Sequence, residues 1–191
     1  MSSLSSTPTS SDSLPSIYKV SPLIRISLWL FYFSLITPLP ILAHINHVGV
    51  ATRSSLWVGI GLGIVALAAA LSEQVHLTKE GMGIEYPHWV PAWFRQGWFL
   101  AWQDITAIKP RSTGQGGRVY YLVAPGGSAK LLPMRIAGFA HMTRTIESQT
   151  GLKMAKVKPL AQMWMYAILL AFSLLLALAD IWILWTGISH I

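Results

Sequence analysis

Few side chains in this sequence stand where they could do chemistry together. Asp180 is the only acid inside a long apolar stretch, and a carboxylate in a bilayer is costly enough to mark a functional position. His44 and His47 are three residues apart, but nothing nearby offers the third ligand that a metal site needs. Segment 73–159 contains three His and five acids, none of them in a recognised catalytic spacing. We therefore predict no enzyme, no metal site and no cofactor.

Asp180 has two interpretations. It lies within one or two turns of the end of its stretch and close to Trp182, where water and lipid headgroups can reach it. Proton or ion translocation is one role, and a peripheral or helix-pairing role is the other. We favour the second, with Arg53 as the base on the same side.

Composition places this chain in a membrane. Hydrophobic residues make up 53% of the 191 residues and charged residues only 11%, against about 25% in soluble domains. Stretches of about 20 apolar residues can cross a bilayer, and three occur, which predicts transmembrane helices at 21–43, 55–72 and 160–187. Pro38 and Pro40 should kink or end the first helix. A cleaved signal peptide is the competing interpretation of that first stretch.

Small residues in the second stretch predict a helix contact. Gly59 and Gly63 form a G-x-x-x-G pair, which allows another helix backbone to approach closely. Gly is also simply common in such helices, and that alternative stays open. Asp180 is the third candidate for helix packing.

Basic residues predict the orientation of the chain. Segment 73–159 contains eleven of the 14 Lys and Arg, Lys19 and Arg25 precede the first helix, and only Arg53 lies between the first two helices. The positive-inside rule then places the N-terminus and this segment in the cytosol, and the C-terminus on the opposite side.

The polar segments divide into a tail and a domain. Residues 1–20 are rich in Ser and predict a disordered tail. Residues 73–152 show short alternating patterns separated by turns, and then a helical pattern from Ile136 that ends at Gly151. The predicted strands are 75–77, 82–86, 98–108, 118–124 and 129–134, with a flexible loop at 112–117.

Two groups of side chains are candidates for lipid or partner binding. The aromatic group is Trp89 and Trp93, which could lie in the headgroup region or in the domain core, whereas the alternation of Trp98 and Trp102 favours the core. The basic group could contact anionic headgroups or an acidic partner, or could be an ordinary solvated surface. It consists of Lys109, Arg111, Arg118, Lys130 and Arg135. No helix concentrates these bases, so we predict no nucleic-acid binding.

The polar domain also resembles a known family. The patterns that carry the resemblance are Leu-Thr-x-Glu-Gly-x-x-x-x-Tyr at Leu77 to Tyr86, Trp-x-Asp-Ile-x-x-Ile at Trp102 to Ile108, Leu-Leu-Pro at Leu131 to Pro133, and a helix ending in Thr150-Gly151. They resemble the bacterial pleckstrin-homology-like (PH-like) domains of small membrane proteins. With its loop at Pro110 to Gly117, the chain is similar to uncharacterised cyanobacterial membrane proteins. Its first two helices and domain resemble the photosystem I assembly factor of chloroplasts and cyanobacteria, which lacks the third helix.

The resemblance implies binding rather than chemistry. The expected fold is an α+β membrane protein, in which a PH-like antiparallel β-domain capped by a C-terminal helix is inserted between transmembrane helices 2 and 3. The expected function is a non-enzymatic, membrane-anchored interaction or assembly module, whose partners are membrane lipids and another membrane protein complex. Biogenesis of a photosynthetic complex is one such role, and the expected membrane is a plasma or thylakoid membrane. The alternative is a protein that binds lipid headgroups or takes part in transport.

Overall fold

The chain folds into two compact units. The computed structural model describes residues 15–112, 118–154, 157 and 163–188. Within these, the strand unit contains residues 15–19 and 73–157, and the helix unit contains residues 20–72 and 163–188. The first helical segment is therefore inserted, in chain order, between the first and second strands of the strand unit.

Seven strands and five α-helices make up the described residues. The strands are β1 (Ser16–Lys19), β2 (Gln74–Leu77), β3 (Gly81–Glu85), β4 (Trp98–Ala101), β5 (Ala107–Ser112), β6 (Arg118–Val123) and β7 (Ala129–Leu131). The helices are α1 (Pro22–Ile36), α2 (Pro38–Ile45), α3 (Val50–Ala70), α4 (Phe139–Thr150) and α5 (Met163–Ile188). The α+β class is confirmed.

The first sheet begins with residues that the sequence assigned to the tail. Its antiparallel order is β1-β2-β3-β4, and β1 pairs with β2 from Ser16 opposite Leu77 to Lys19 opposite Gln74. The carbonyl of Lys19 also accepts a hydrogen bond of 2.8 Å from the amide of Ala137. The predicted tail 1–20 is thus wrong for residues 16–19, because strand pairing satisfies their backbone groups. Residues 1–14 lie outside the described residues.

The second sheet and α4 complete the strand unit. Strands β5, β6 and β7 are antiparallel in that order, and the predicted loop at 112–117 falls outside the described residues except for Ser112. Both sheets and α4 contribute to one core, whose fully buried side chains include Val75, Leu77, Met82, Leu122, Leu132, Met142 and Ile146. Gly151 ends α4 with a left-handed φ of 71°, as predicted for a glycine C-cap.

The chain between β4 and β5 differs from the prediction of one long strand. Trp102 to Asp104 form a turn of 3₁₀ helix, which separates the two sheets at this point. The indole nitrogen of Trp102 donates to the carbonyl of Thr78 at 3.1 Å, and its ring is buried. The core prediction for Trp102 is confirmed, while period-two alternation alone could not reveal the turn.

The helix unit provides three helical segments long and apolar enough to span a bilayer. They are Pro22–Ile45, Val50–Ala70 and Trp164–Thr186. The first is interrupted at Thr37, where α1 ends and α2 begins, because Pro38 has no amide hydrogen to continue the hydrogen-bonding pattern. The predicted break near Pro38 is confirmed. The second helix starts at Val50, five residues before the predicted boundary.

Serine side chains join α1 to α5. Ser27 and Ser34, seven residues apart, donate hydrogen bonds to the carbonyls of Tyr166 at 3.1 Å and Ser173 at 3.0 Å. Equal spacing of seven on both helices means that they run parallel with a coiled-coil-like contact. Ser27, Ser34 and Ser173 are almost completely buried, so the helices approach closely along this serine seam.

Tyr32 connects α1 to α3. Its hydroxyl donates to the carbonyl of Ile60 at 2.7 Å. A Cβ atom on Gly63 would collide with this hydroxyl, so Gly63 leaves the room that Tyr32 occupies. Gly59 is exposed, and no heavy atom lies within 4 Å of the Cβ that it lacks. The two glycines of the G-x-x-x-G pair therefore have different surroundings within one chain.

The serine seam predicts the effect of a larger side chain. Ser173→Leu should destabilise the helix unit by roughly 1 to 3 kcal/mol, because the added carbon atoms overpack a fully buried position. The measurement is the apparent unfolding temperature of the full chain in mild detergent. Phe172→Leu, at an exposed neighbouring position, is the control and should leave that temperature unchanged. Equal temperatures for the two variants would contradict the close approach of α1 and α5.

Candidate partner-binding groove

An open groove crosses the outer face of the first sheet. Its volume is about 580 Å³, and it lies between this face and the connection from Tyr86 to Gly97, which we call the aromatic loop. His76, Gly83 and Phe99 contribute from the sheet, and Val90 and Arg95 contribute from the loop. Both polar and apolar groups therefore face the same opening.

Strand register assembles the floor of the groove. His76 is opposite Gly83, and Gly83 is opposite Phe99, so these residues form one row across β2, β3 and β4. A Cβ on Gly83 would lie 2.8 Å from the carbonyl oxygen of Trp98 and 3.2 Å from the ring of Phe99. The ring of Phe99 also covers Gly81, which has no side chain of its own. The floor is therefore backbone and one aromatic ring.

Prolines shape the aromatic loop and expose its indole rings. The amide three residues after each proline donates back to its carbonyl: Val90 to Pro87 and Phe94 to Pro91, both at 2.9 Å. Val90 is the buried side chain that anchors the loop, whereas Trp89 is 52% exposed and Trp93 is 86% exposed. The Trp93 ring packs only edge-on against Phe94, with centroids 6.0 Å apart.

Charged and hydroxyl groups border the groove. The Nε2 atom of His76 lies 3.5 Å from a carboxylate oxygen of Glu85. The hydroxyl of Tyr86 donates to Glu73 at 3.1 Å. Burial, and next the negative charge of Glu73, raise the pKa of Tyr86 to about 12, although the positive charge of Arg95 acts in the opposite direction. The sequence analysis missed Tyr86, Arg95 and Phe99, because only the long-range strand register brings them together.

The five predicted basic residues do not share one surface. Lys109 and Arg111 project from the outer face of the second sheet, where the Arg111 guanidinium lies 5.9 Å from the centroid of the Tyr121 ring. By register, Arg118 and Lys130 are on the opposite face of that sheet. Arg135 is exposed after β7. The five residues therefore do not lie on one face of the sheet, because alternate strand residues point to opposite faces.

Among residues 15–112, 118–154 and 163–188, no three His, Asp or Glu side chains come together in a way that could hold a metal ion. Asp180 lies on α5 with one carboxylate oxygen buried and without a hydrogen-bond partner. The serine seam was also missed from sequence, although its signal was present as a spacing of seven between Ser27 and Ser34.

The raised pKa of Tyr86 predicts a pH dependence of stability. A folded-state pKa of about 12, above the unfolded value of 10.0, gives a contribution that is complete below pH 10 and disappears as the pH rises toward 12. Tyr86→Phe should remove this contribution, so its unfolding temperature should fall less steeply than that of the wild type across that interval. The measurement is thermal unfolding of the full chain in detergent from pH 9 to 12. Parallel curves would contradict the burial of the phenol.

One relative extends over nearly the whole chain. The uncharacterized protein slr0269 of Synechocystis sp. is 47% identical over 175 residues, which cover 90% of this chain and 88% of the relative. No family model matches the chain, and no solved structure matches it. Because the identity extends over both the apolar helices and the strand unit, the chain belongs to the same protein family as this cyanobacterial protein.

Proposed function

We propose that the chain is a membrane-anchored binding protein that holds a protein partner in the groove beneath the aromatic loop, without catalysing a reaction. The observation that carries this proposal is an opening of about 580 Å³ with both polar and apolar lining, bordered by a loop whose Trp93 is 86% exposed. Indole rings carry much of the binding energy at protein interfaces, and exposed aromatic groups beside a groove are typical of such sites. A protein segment that brings apolar side chains to Val90 and Phe99 and polar groups to His76 would match this lining.

The strand unit supports the proposal through its form. A four-stranded and a three-stranded antiparallel sheet share one core with a following helix, which is the arrangement expected of a PH-like domain. We propose that the unit is such a domain, with the unusual feature that its first strand precedes the first two apolar helices. Domains of this kind generally hold partners. Assembly of a membrane protein complex, including a photosynthetic one, is the role that the resemblance favours.

The helix unit supports membrane anchoring. Three helices of sufficient length and apolarity would insert, and the charge distribution would then leave the N-terminus and the strand unit in the cytosol. Residues 46–49, between α2 and α3, would face the opposite side together with the end of α5.

Lipid headgroups are a second candidate for the aromatic loop. Residues 86–97 contain no acid, and Arg95 and His88 accompany the two indole rings, a composition that suits an anionic membrane surface. Lys109 and Arg111 would add positive charge on the outer face of the second sheet. The groove favours a protein partner over this candidate, because a flat headgroup layer would leave the floor at Gly83 unfilled.

Photocrosslinking in native membranes tests both candidates at once. A benzophenone amino acid replaces Trp93 in the full chain, and the matched control carries it at Leu131, which is 47% exposed on the second sheet. A protein adduct of one defined mass from position 93, absent from position 131, is the expected result. Lipid adducts alone, or the same adducts from both positions, would overturn the proposal.

The captured partner then allows a measurement of affinity. Trp93→Ala should weaken binding by about 30-fold, the loss typical of an indole at the centre of an interface. Leu131→Ala should change the dissociation constant by less than about threefold.

Cysteine labelling tests the orientation. Because the chain has no cysteine, Ser128→Cys and Asn46→Cys each provide one exposed thiol for a membrane-impermeant maleimide. In intact cells Asn46→Cys should react and Ser128→Cys should react only after lysis. The reverse pattern would show that the strand unit lies on the other side of the membrane.

A further inference from the structure

Two charged residues of the helix unit share an unusual feature. The Nε atom of Arg53 on α3 and the Oδ2 atom of Asp180 on α5 are both buried, and neither has a hydrogen-bond partner. Within the described residues, no ion pair at 4.0 Å or less includes either side chain. Other positions on the same two helices are open by contrast: Val58 on α3 and Ile181 on α5 are each 61% exposed.

Helix periodicity places the two residues on inward faces. Arg53, Ile60 and Leu67 are spaced by seven on α3, and Ile60 accepts the hydrogen bond from Tyr32 while Leu67 packs against buried Ile24 and Leu71. Tyr166, Ser173 and Asp180 are spaced by seven on α5. The first two of these accept the serine hydrogen bonds from α1. Each charged residue thus belongs to a series of three residues whose other two members face α1.

The same spacing gives the two residues the same depth. Leu67 and Tyr166 both pack against the cluster of Val20, Ile24 and Leu71, at the end of the helix unit where α1 begins. Arg53 lies 14 residues from Leu67 and Asp180 lies 14 residues from Tyr166, both toward the far end of the unit. At 1.5 Å per residue, each is about 21 Å from that cluster.

From this geometry we infer that Arg53 and Asp180 of one chain form a charge pair, directly or through a water molecule, which links α3 to α5 at the far end of the helix unit. Uncompensated buried charges are strongly unfavourable in an apolar environment, and these two groups are of opposite sign, at one depth and on inward faces. A water molecule can bridge polar groups that are too far apart for direct contact.

The pair acts where the serine seam stops. The next position of the seam after Ser34 is Ile41, which lies on α2 beyond Pro38 and has no hydroxyl to donate to α5. Beyond Pro38, the charge pair would connect α3 to α5, as Ser27 and Ser34 connect α1 to α5 before it. Asp180 is then a structural group rather than part of a transport path, and this inference does not depend on the proposed function of the groove.

Crosslinking of a double-cysteine variant tests the geometry. Arg53→Cys with Asp180→Cys, in the otherwise cysteine-free full chain, should give an intramolecular link with a short bifunctional thiol reagent in native membranes. Ala51→Cys with Asp180→Cys is the control, because Ala51 is exposed and two residues away on the helix, and it should give no such link. Linked dimers, equal linking in the control, or no linking would each overturn the inference.

Charge exchange tests the energetics without relying on cysteine variants that may not fold. Arg53→Ala and Asp180→Ala should each lower the apparent unfolding temperature in detergent by roughly 5 to 10 °C. The exchanged variant, Arg53→Asp with Asp180→Arg, should recover at least half of that loss, whereas Arg25→Ala at an exposed position should change little. If the exchanged variant lost as much unfolding temperature as the two single alanine variants together, the residues would not pair.

Discussion

The pairing of β1 with β2 is the constraint on which both units depend. Lys19 lies opposite Gln74, so the residues that enter and leave the segment 20–73 are held side by side. Closing a loop of this length costs chain entropy, which four residue pairs and the hydrogen bond to Ala137 must offset. Because β1 covers β2, the latter is an interior strand rather than a free edge that could pair with another chain.

Close approach between helices takes the place of the hydrophobic effect in the helix unit. Lipid chains are as apolar as leucine, so burying leucine against leucine provides little drive for association in a bilayer. Ser27 and Ser34 instead allow backbones to come near and supply hydrogen bonds to carbonyl groups of α5. Gly63 does the same for the ring of Tyr32 on the other side of α1. Small residues on α1 and on α3 therefore specify how α1 contacts its two neighbours.

Local sequence signals predicted the elements, and long-range pairing decided what they build. Apolar length located the three helical segments, Pro38 located the interruption, and Gly151 located the end of α4, because each signal acts within a few residues. The strand at Ser16 was missed since its partner is more than 50 residues away in the chain. Trp102 was placed in the core but not in its 3₁₀ turn. The row of His76, Gly83 and Phe99 depends on two registers that no local pattern encodes.

Glycine on the outer sheet face connects this architecture to binding. A side chain at Gly83 would meet the carbonyl of Trp98, so the strands can pair here only if the position is bare. The ring of Phe99 covers Gly83 from the neighbouring strand. An aromatic ring opposite a glycine in this way buries apolar area that the glycine itself cannot provide. Because Gly83 has no side chain, the groove between the sheet and the aromatic loop stays open, although Val90 of the loop lines it. The groove is therefore a consequence of how β3 and β4 pair, and it opens against the loop that carries the 86% exposed Trp93.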